Sequence, residues 1–308
     1  MILVLSLNTA LDKTLVLGRL ARGQRHLPAR NLDLAGGKGV NAARALRRLG
    51  REARVLGLLA GHTGRHIAGL LADEGIPADW VWLPRGESRT CLTMVHGGML
   101  PTEINEEGPA VPRASLARVE ALLIRQLRGC RFLLLCGRLP PGVPAGFYGR
   151  LIRLARSRGV ATALDASAPA LAPGLAAGPD VVKPNAVELA ELGLSARPGR
   201  WKASLEGLSS LGAQEVFVTL GAQGALMKSG SSFLYAAGPK FRGCPLGSGD
   251  TFLAAAVHGL LAGWPAERRL AFAVAAASAN VRTLGAGVFL KKHLGALLPQ
   301  VRVRRLRA

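Results

Sequence analysis

Between residues 131 and 221 the chain reads RFLLLCG (131–137), GFYGRLIRLARSRG (146–159), VATALDAS (160–167), PDVVKPN (179–185), AVELAELG (186–193) and EVFVTLG (215–221). Apolar runs of strand length alternate here with segments in which Leu, Ile and Ala recur at helical spacing. Strands that are apolar on both faces suit a parallel sheet whose βαβ crossovers lay helices on either side. Toward the N-terminus, MILVLSL (1–7), NAARALRRLG (41–50), ARVLGLL (53–59) and the segment 65–74 repeat the rhythm. The predicted fold class is α/β, a doubly wound, mostly parallel sheet flanked by helices.

Two stretches, 13–34 and 89–105, show strand-like alternation with no helix between. In the second, Arg89, Cys91, Thr93 and Val95 fall on one face and Thr90, Leu92 and Met94 on the other. Strands inserted outside the βαβ order predict a small separate sheet, and over the carboxyl edge of the core it would act as a lid. No repeat and no low-complexity linker divides the chain, so residues 1–308 are expected to form one domain.

The 308 residues are 49% hydrophobic and 19% charged, which excludes a disordered, collagenous or disulfide-stapled class. The formal charge of +21 makes a polyanion such as nucleic acid a partner to weigh. The basic residues are spread along the chain, however, and only Arg302, Arg304, Arg305 and Arg307 form a run. Aromatic residues are 5% of the chain, too few and too scattered for a stacking platform, so no sequence-specific nucleic-acid partner is expected. Cys91, Cys130, Cys136 and Cys244 have neither disulfide nor zinc spacing and read as core thiols of a reducing compartment. With no signal peptide or membrane span, the expected location is the cytoplasm.

Four motifs could carry chemistry. Gly36-Gly37-Lys38-Gly39-Val40-Asn41 opens a helix expected to run to about Leu49 and stop at Gly50. Lys38 and Asn41, three apart on the first turn, can both face something bound at its positive end. The hexapeptide is neither a P-loop, since Gly follows Lys38, nor a dinucleotide fingerprint, since it does not directly follow a strand of a βα turn. A flexible turn with a solvated Lys would show the same letters.

Leu246-Gly247-Ser248-Gly249-Asp250 places small residues and an acid at the start of an apolar helix. Successive amides there form an anion nest, and Asp250 is either a base beside that nest or merely its N-cap. Lys183-Pro184-Asn185-Ala186-Val187-Glu188 turns from a strand end into a helix. Asn185 and Glu188 have capping-box spacing, while the functional reading puts Lys183 on a nucleotide phosphate and Glu188, with Asn185, near hydrated Mg²⁺. Thr219-Leu220-Gly221-Ala222-Gln223-Gly224 is a plain turn or a close backbone approach to a nucleotide.

The order of these motifs resembles the PfkB branch of the ribokinase-like carbohydrate kinases, within it the 1-phosphofructokinase and tagatose-6-phosphate kinase group. The resemblance is carried by NTALD (8–12), GGKGVN (36–41), SRTCLT (88–93), TEIN (102–105), LPPGVP (139–144), KPNAVE (183–188), TLGAQG (219–224) and GSGD (247–250). It implies that Asp250 is the catalytic base and that the backbone of Gly247, Ser248, Gly249 and Asp250 is the anion hole. It implies sugar contacts from Asp12, Gly37, Lys38 and Asn41, with Arg89 reaching from the lid to the substrate's own phosphate. Lys183, Asn185, Glu188, Thr219, Gly221 and Gly224 would face ATP and Mg²⁺, with Asn280 and the turn 285–287 near the adenine.

Three departures stand out, one of them Cys244-Pro245-Leu246, which leads into GSGD with less polar character than usual and reads as local packing. Thr9 replaces the family's usual Pro, and Arg138 replaces a small Ser beside the expected cleft, which adds Arg138 to the candidate substrate contacts. The implied activity is ATP-dependent phosphorylation of a ketohexose monophosphate, fructose 1-phosphate first, with tagatose 6-phosphate or fructose 6-phosphate as near alternatives. A homodimer through the lid is expected, because a small sheet standing off the core exposes edges that need covering. A rival of another class is a nucleic-acid-binding or regulatory protein on a degenerate kinase fold, which would use the arginines and leave Asp250 idle.

Overall fold

The structure is a computed structural model that describes residues 1–97 and 100–306; Arg307, the end of the 302–307 arginine run, and residues 98–99 of the 89–105 stretch lie outside it. The main sheet has ten strands. In chain order they are β1 (Ile2–Ser6), β4 (Ala53–Leu59), β5 (Ala78–Trp82), β8 (Phe132–Cys136), β9 (Ala161–Asp165), β10 (Val181–Val182), β11 (Glu215–Thr219), β12 (Ala225–Ser229), β13 (Ser232–Ala237) and β14 (Arg302–Arg305). The missing numbers, β2 (Ala10–Leu17), β3 (Arg30–Gly36), β6 (Arg89–His96) and β7 (Thr102–Asn105), make the second sheet.

The spatial order β5-β4-β1-β8-β9-β10-β11 is parallel throughout, and β12, β13 and β14 continue it as an antiparallel meander. Reversal of strand order on either side of β1 is the signature of double winding, and it opens a crevice at the carboxyl ends of the strands. The two faces follow the period of two. Ile2 and Val4 pack with the helices Lys38–Arg48, Ser248–Leu261 and Ala266–Val281, while Leu3 and Leu5 pack with Arg113–Gln126 and Phe147–Arg156. Strand β5 lies beyond the expected elements, since ADWVW mixes burial with exposure at the sheet edge and gives no continuous apolar run. The basic run 302–305 forms the opposite edge strand.

The second sheet has the order β3-β2-β6-β7, with β2 and β6 parallel and the outer pairs antiparallel. Strand β2 begins at Ala10, before the expected boundary at residue 13, so Asp12 lies on a lid strand and pairs with Cys91. The GGKGVN hexapeptide does follow a strand directly, because β3 ends at Gly36 and the helix begins at Lys38. That strand belongs to the lid, so the turn joins lid to core instead of closing a βα unit of the main sheet. Among the described residues no helix is long and apolar enough to cross a membrane.

Candidate active site

Lid and core enclose a cavity of about 790 Å³ at the carboxyl ends of β9, β10 and β11. Its floor is the N-terminus of the helix Ser248–Leu261, capped by Gly247 at φ 72° with no side-chain hydrogen bond. Only glycine suits that position, since its backbone is left-handed and an added Cβ would lie 2.5 Å from Cα of Ala286. Asp250 is the third residue of this helix and not its N-cap, so its carboxylate is free for other work. Its Oδ2 accepts a hydrogen bond from Nδ2 of Asn41 at 2.9 Å. Burial pushes its pKa up to about 6, reinforced by the Asp165 carboxylate and opposed by Lys38, the Asn41 hydrogen bond and Lys183.

Asp165 is the residue sequence reasoning missed. It ends β9 with its side chain 1% exposed, and its two oxygens lie 3.0 Å from Nζ of Lys38 and 3.0 Å from Nζ of Lys183. Lys38 also pairs with Glu188 at 2.9 Å. Burial alone would lower the Lys38 pKa, but Asp165 and Glu188 overcome it and hold the ammonium well above its ordinary value. Burial would likewise raise Asp165, and the two lysines outweigh it and keep the carboxylate below its usual range. The only sequence signal was an Asp closing an apolar strand in VATALDAS, at the edge where ligands of α/β folds bind.

The opposite wall comes from the lid. Asp12 is buried against Gly36, where a Cβ would lie 2.0 Å from the Asp12 carboxyl carbon. Burial lifts Asp12 to about 6 against the pull of Arg44 and Arg89. Arg89 is steered by backbone carbonyls, with Nε donating to Asn8 at 3.2 Å and Nη1 to Glu106 at 3.3 Å. Thr9 donates its hydroxyl to the Ser6 carbonyl at 3.0 Å, which closes the turn before β2 without a proline.

The expected residues Asp12, Gly37, Lys38, Asn41, Arg89, Lys183, Asn185, Thr219, Gly221, Gly224 and Gly247 through Asp250 all line this cavity. Three do not. Arg138 is exposed outside it. Glu188 is buried behind Lys38. Asn280 is wholly buried, accepting from the Thr251 hydroxyl at 3.0 Å and donating to the Leu246 carbonyl at 2.8 Å, so it braces the nest instead of facing a ligand. The capping-box reading of Asn185 also holds: its Oδ1 accepts from the amides of Val187 and Glu188, which leaves Nδ2 and not the oxygen for a ligand. The turn 285–287 packs on Gly247 and Asn41, and small residues of another segment, Val274, Ala277 and Ser278, wall the cavity instead.

An acid beside an anion nest, a buried Lys183, a half-buried Lys38 and a small sheet over the cavity are features that suit phosphoryl transfer. The sequence profile of the pfkB family carbohydrate kinases matches residues 12–293. The chain belongs to the pfkB family of carbohydrate kinases. It is thus a sugar phosphotransferase. The 1-phosphofructokinase of Rhodobacter capsulatus is 34% identical over 99% of this chain and 98% of its own length. A tagatose-6-phosphate kinase of Staphylococcus epidermidis is 29% identical over 85% of this chain and 86% of its own. Among solved structures, phosphofructokinase-2 of Escherichia coli in a tetrameric inhibited form superposes with a TM-score of 0.87 at 27% identity, covering 97% of this chain and 98% of that one.

The raised pKa of Asp250 carries a stability consequence. A carboxyl whose folded pKa is about 6 against an ordinary 3.8 binds its proton more tightly when folded. Its ionisation therefore costs the folded state stability as pH rises from about 4 through 6. Asp250→Asn, which imitates the neutral form, is expected to stabilise the protein by about 1–3 kcal/mol at pH 8 and to change little at pH 4. Thermal unfolding of both proteins at the two pH values checks this; equal melting at pH 8 would contradict the strained carboxylate.

Proposed function

We propose that the chain transfers the γ-phosphoryl group of ATP to a ketohexose monophosphate, converting fructose 1-phosphate to fructose 1,6-bisphosphate at the 6-hydroxyl. The observation that carries this reading is the placement of an arginine, Arg89, on the inner face of the lid beside Asp12 and across the cavity from Asp250. A planar guanidinium grips a phosphate bidentately, a feature without use for an unphosphorylated sugar. The similarity to 1-phosphofructokinase over nearly the full length supports the same choice, and tagatose 6-phosphate and fructose 6-phosphate remain the near alternatives.

In this reading Asp12 and Asn41 orient the sugar while the lid excludes water. Asp250 accepts the hydroxyl proton as the oxygen forms its bond to the γ-phosphorus; the bond to the β,γ-bridging oxygen breaks and ADP departs. The nest holds the charge of the transferring group, and Lys183, beside Gly249, meets the nucleotide phosphates. Mg²⁺ is expected to arrive on those phosphates, because the described residues hold no cluster of three metal-ligating side chains and both Glu188 oxygens already accept hydrogen bonds. A hydrated ion, touched by the protein through water, fits that donor set and supplies neutralisation of phosphate charge. The same site argues against the degenerate-fold rival: Asn41 engages Asp250, and both lysines engage Asp165 beside it.

Turnover of ATP across a panel of ketohexoses and their monophosphates tests the assignment. Fructose 1-phosphate is expected to give the highest kcat/KM, and Asp250→Asn to lose roughly 10²- to 10⁴-fold in kcat while still binding ATP. Wild-type turnover by Asp250→Asn would refute the mechanism.

Arg89→Ala is expected to cost about 10- to 150-fold in kcat/KM for the sugar phosphate and to spare KM for ATP. Arg138→Ser, altering an exposed residue outside the cavity, is expected to change neither. Near-wild-type kinetics for Arg89→Ala would remove the case for a phosphorylated acceptor.

We further propose a homodimer through the lid, in a cytoplasmic setting. The outer lid face sets Leu15 opposite Met94 and Leu92 opposite Ile104, and Ile104 is 56% exposed. Sedimentation across micromolar concentrations is expected to show a dimer that Ile104→Lys dissociates; monomer throughout would count against it.

A further inference from the structure

Arg44 lies in the middle of the helix Lys38–Arg48 with its side chain 2% exposed. A guanidinium has five N–H donors, and leaving any unmatched in such a place is costly. All five are matched. Nε and Nη2 form a bidentate pair with Glu74 at 2.5 and 2.6 Å. Nη2 also donates to the Ala35 carbonyl, and Nη1 donates to the Ala286 carbonyl at 2.8 Å and to Oδ1 of Asn41 at 3.2 Å. The group is therefore fixed from four sides.

The bond to Asn41 decides an orientation. The two ends of an Asn amide are alike in shape, and only hydrogen bonding selects which faces a neighbour. With Arg44 donating to Oδ1, the Nδ2 end must face Asp250, and there it donates at 2.9 Å. Turned the other way, Asn41 would set an acceptor oxygen against a carboxylate.

Resting on the reading of Asp250 as the base, we propose that Arg44 is a positioning residue for phosphoryl transfer: its guanidinium holds the Asn41 amide so that a donor faces Asp250 and keeps that carboxylate ready to take the hydroxyl proton. The titratable and charged groups that also face Asp250 are Asp165, Lys38 and Lys183, with Asp12 from the lid and Cys136 at the end of β8. Those around Arg44 are Glu74, Arg48 and, at longer range, Asp12. Lysine at position 44 keeps the positive charge felt by Asp12 and Arg48 but has no planar fork, so it separates geometry from charge.

The test is a double-mutant cycle of Arg44→Lys and Asn41→Ala, read in kcat and in its pH profile. Arg44→Lys is expected to lower kcat roughly 10- to 100-fold with KM for ATP unchanged. Its acid limb is expected to rise by about one pH unit, as the carboxylate loses a donor. In the Asn41→Ala background the same substitution is expected to add little. Effects that multiply, or an acid limb that stays in place, would overturn the proposal. Should Arg44→Lys fail to fold, Glu74→Gln, which loosens the anchor of Arg44, carries the same cycle. Carboxyl ¹³C NMR titration of Asp250 in wild type and in the Arg44 or Glu74 variant reads the clamp without turnover. An unshifted midpoint there overturns the clamp, whereas a wild type that phosphorylates no sugar overturns the kinase reading alone.

Discussion

Two lysines and two carboxylates, Lys38, Lys183, Asp165 and Glu188, neutralise one another at the cavity wall, all but Lys38 buried, and Asp250 stands beside them with no cation of its own. A buried ionic cluster of this kind is poor evidence of stability, because desolvation consumes most of what attraction returns. Its value is as a preformed electrostatic environment. Each charge is already oriented by its partners, so in the proposed reaction a transferring phosphoryl group would meet dipoles and cations that need not reorganise. The strands are cut to the same requirement: β9 ends on Asp165, β10 stops one residue before Lys183, and the helix Ser248–Leu261 begins just where its amides face them.

That local balance leaves most of the +21 charge unexplained by the site. A good share of it has an internal structural use. Arg156 donates to the Ala177 and Gly178 carbonyls after the helix Leu171–Leu175, Arg47 to Gly75 after the helix Gly61–Asp73, and Arg51 to His258 near the end of Ser248–Leu261. Carbonyls near helix C-termini carry the negative end of the dipole, and a cation there gives them a donor, the sole one among the described residues for the Gly75 carbonyl and a second one for the His258 carbonyl, which also accepts from the Ala262 amide. On β14, Arg304 lies over the Tyr235 ring and Arg305 pairs with Glu267, so even the C-terminal run is partly engaged. Arg47, Arg51 and Arg156 thus act as long-armed caps.

What was legible in the sequence was what is local. The GSGD and KPNAVE segments could be placed at helix starts because small residues and caps announce themselves within a few positions, and period-two alternation announced the lid strands. Direction in space was not legible. Arg138 sits next to the cleft along the chain but points outside it, and Asn280 turns inward to brace Leu246 and Thr251. Asp165 and Arg44 went unseen for the opposite reason. An Asp after a strand and an Arg in a helix carry no local mark, and their importance comes from partners up to 127 and 242 positions distant in sequence.

The join between lid and core is the remaining step. β3 passes into the helix Lys38–Arg48 through Gly37 alone, so there is no slack between the sheet that carries Asp12 and the helix that carries Lys38 and Asn41. Asp12 on β2 is registered against β3, Leu34 being its partner, while Arg89 is registered against Ala10 on the other side. Asp12 and Arg89 are therefore carried by one sheet, and the first turn of that helix is where this sheet meets the core. The residues that contact Asp250 and the lysine cluster lie on that turn. Under the proposed function, closing the lid and aligning an acceptor hydroxyl with Asp250 would be one mechanical event, because the sheet and the helix share that single-residue join.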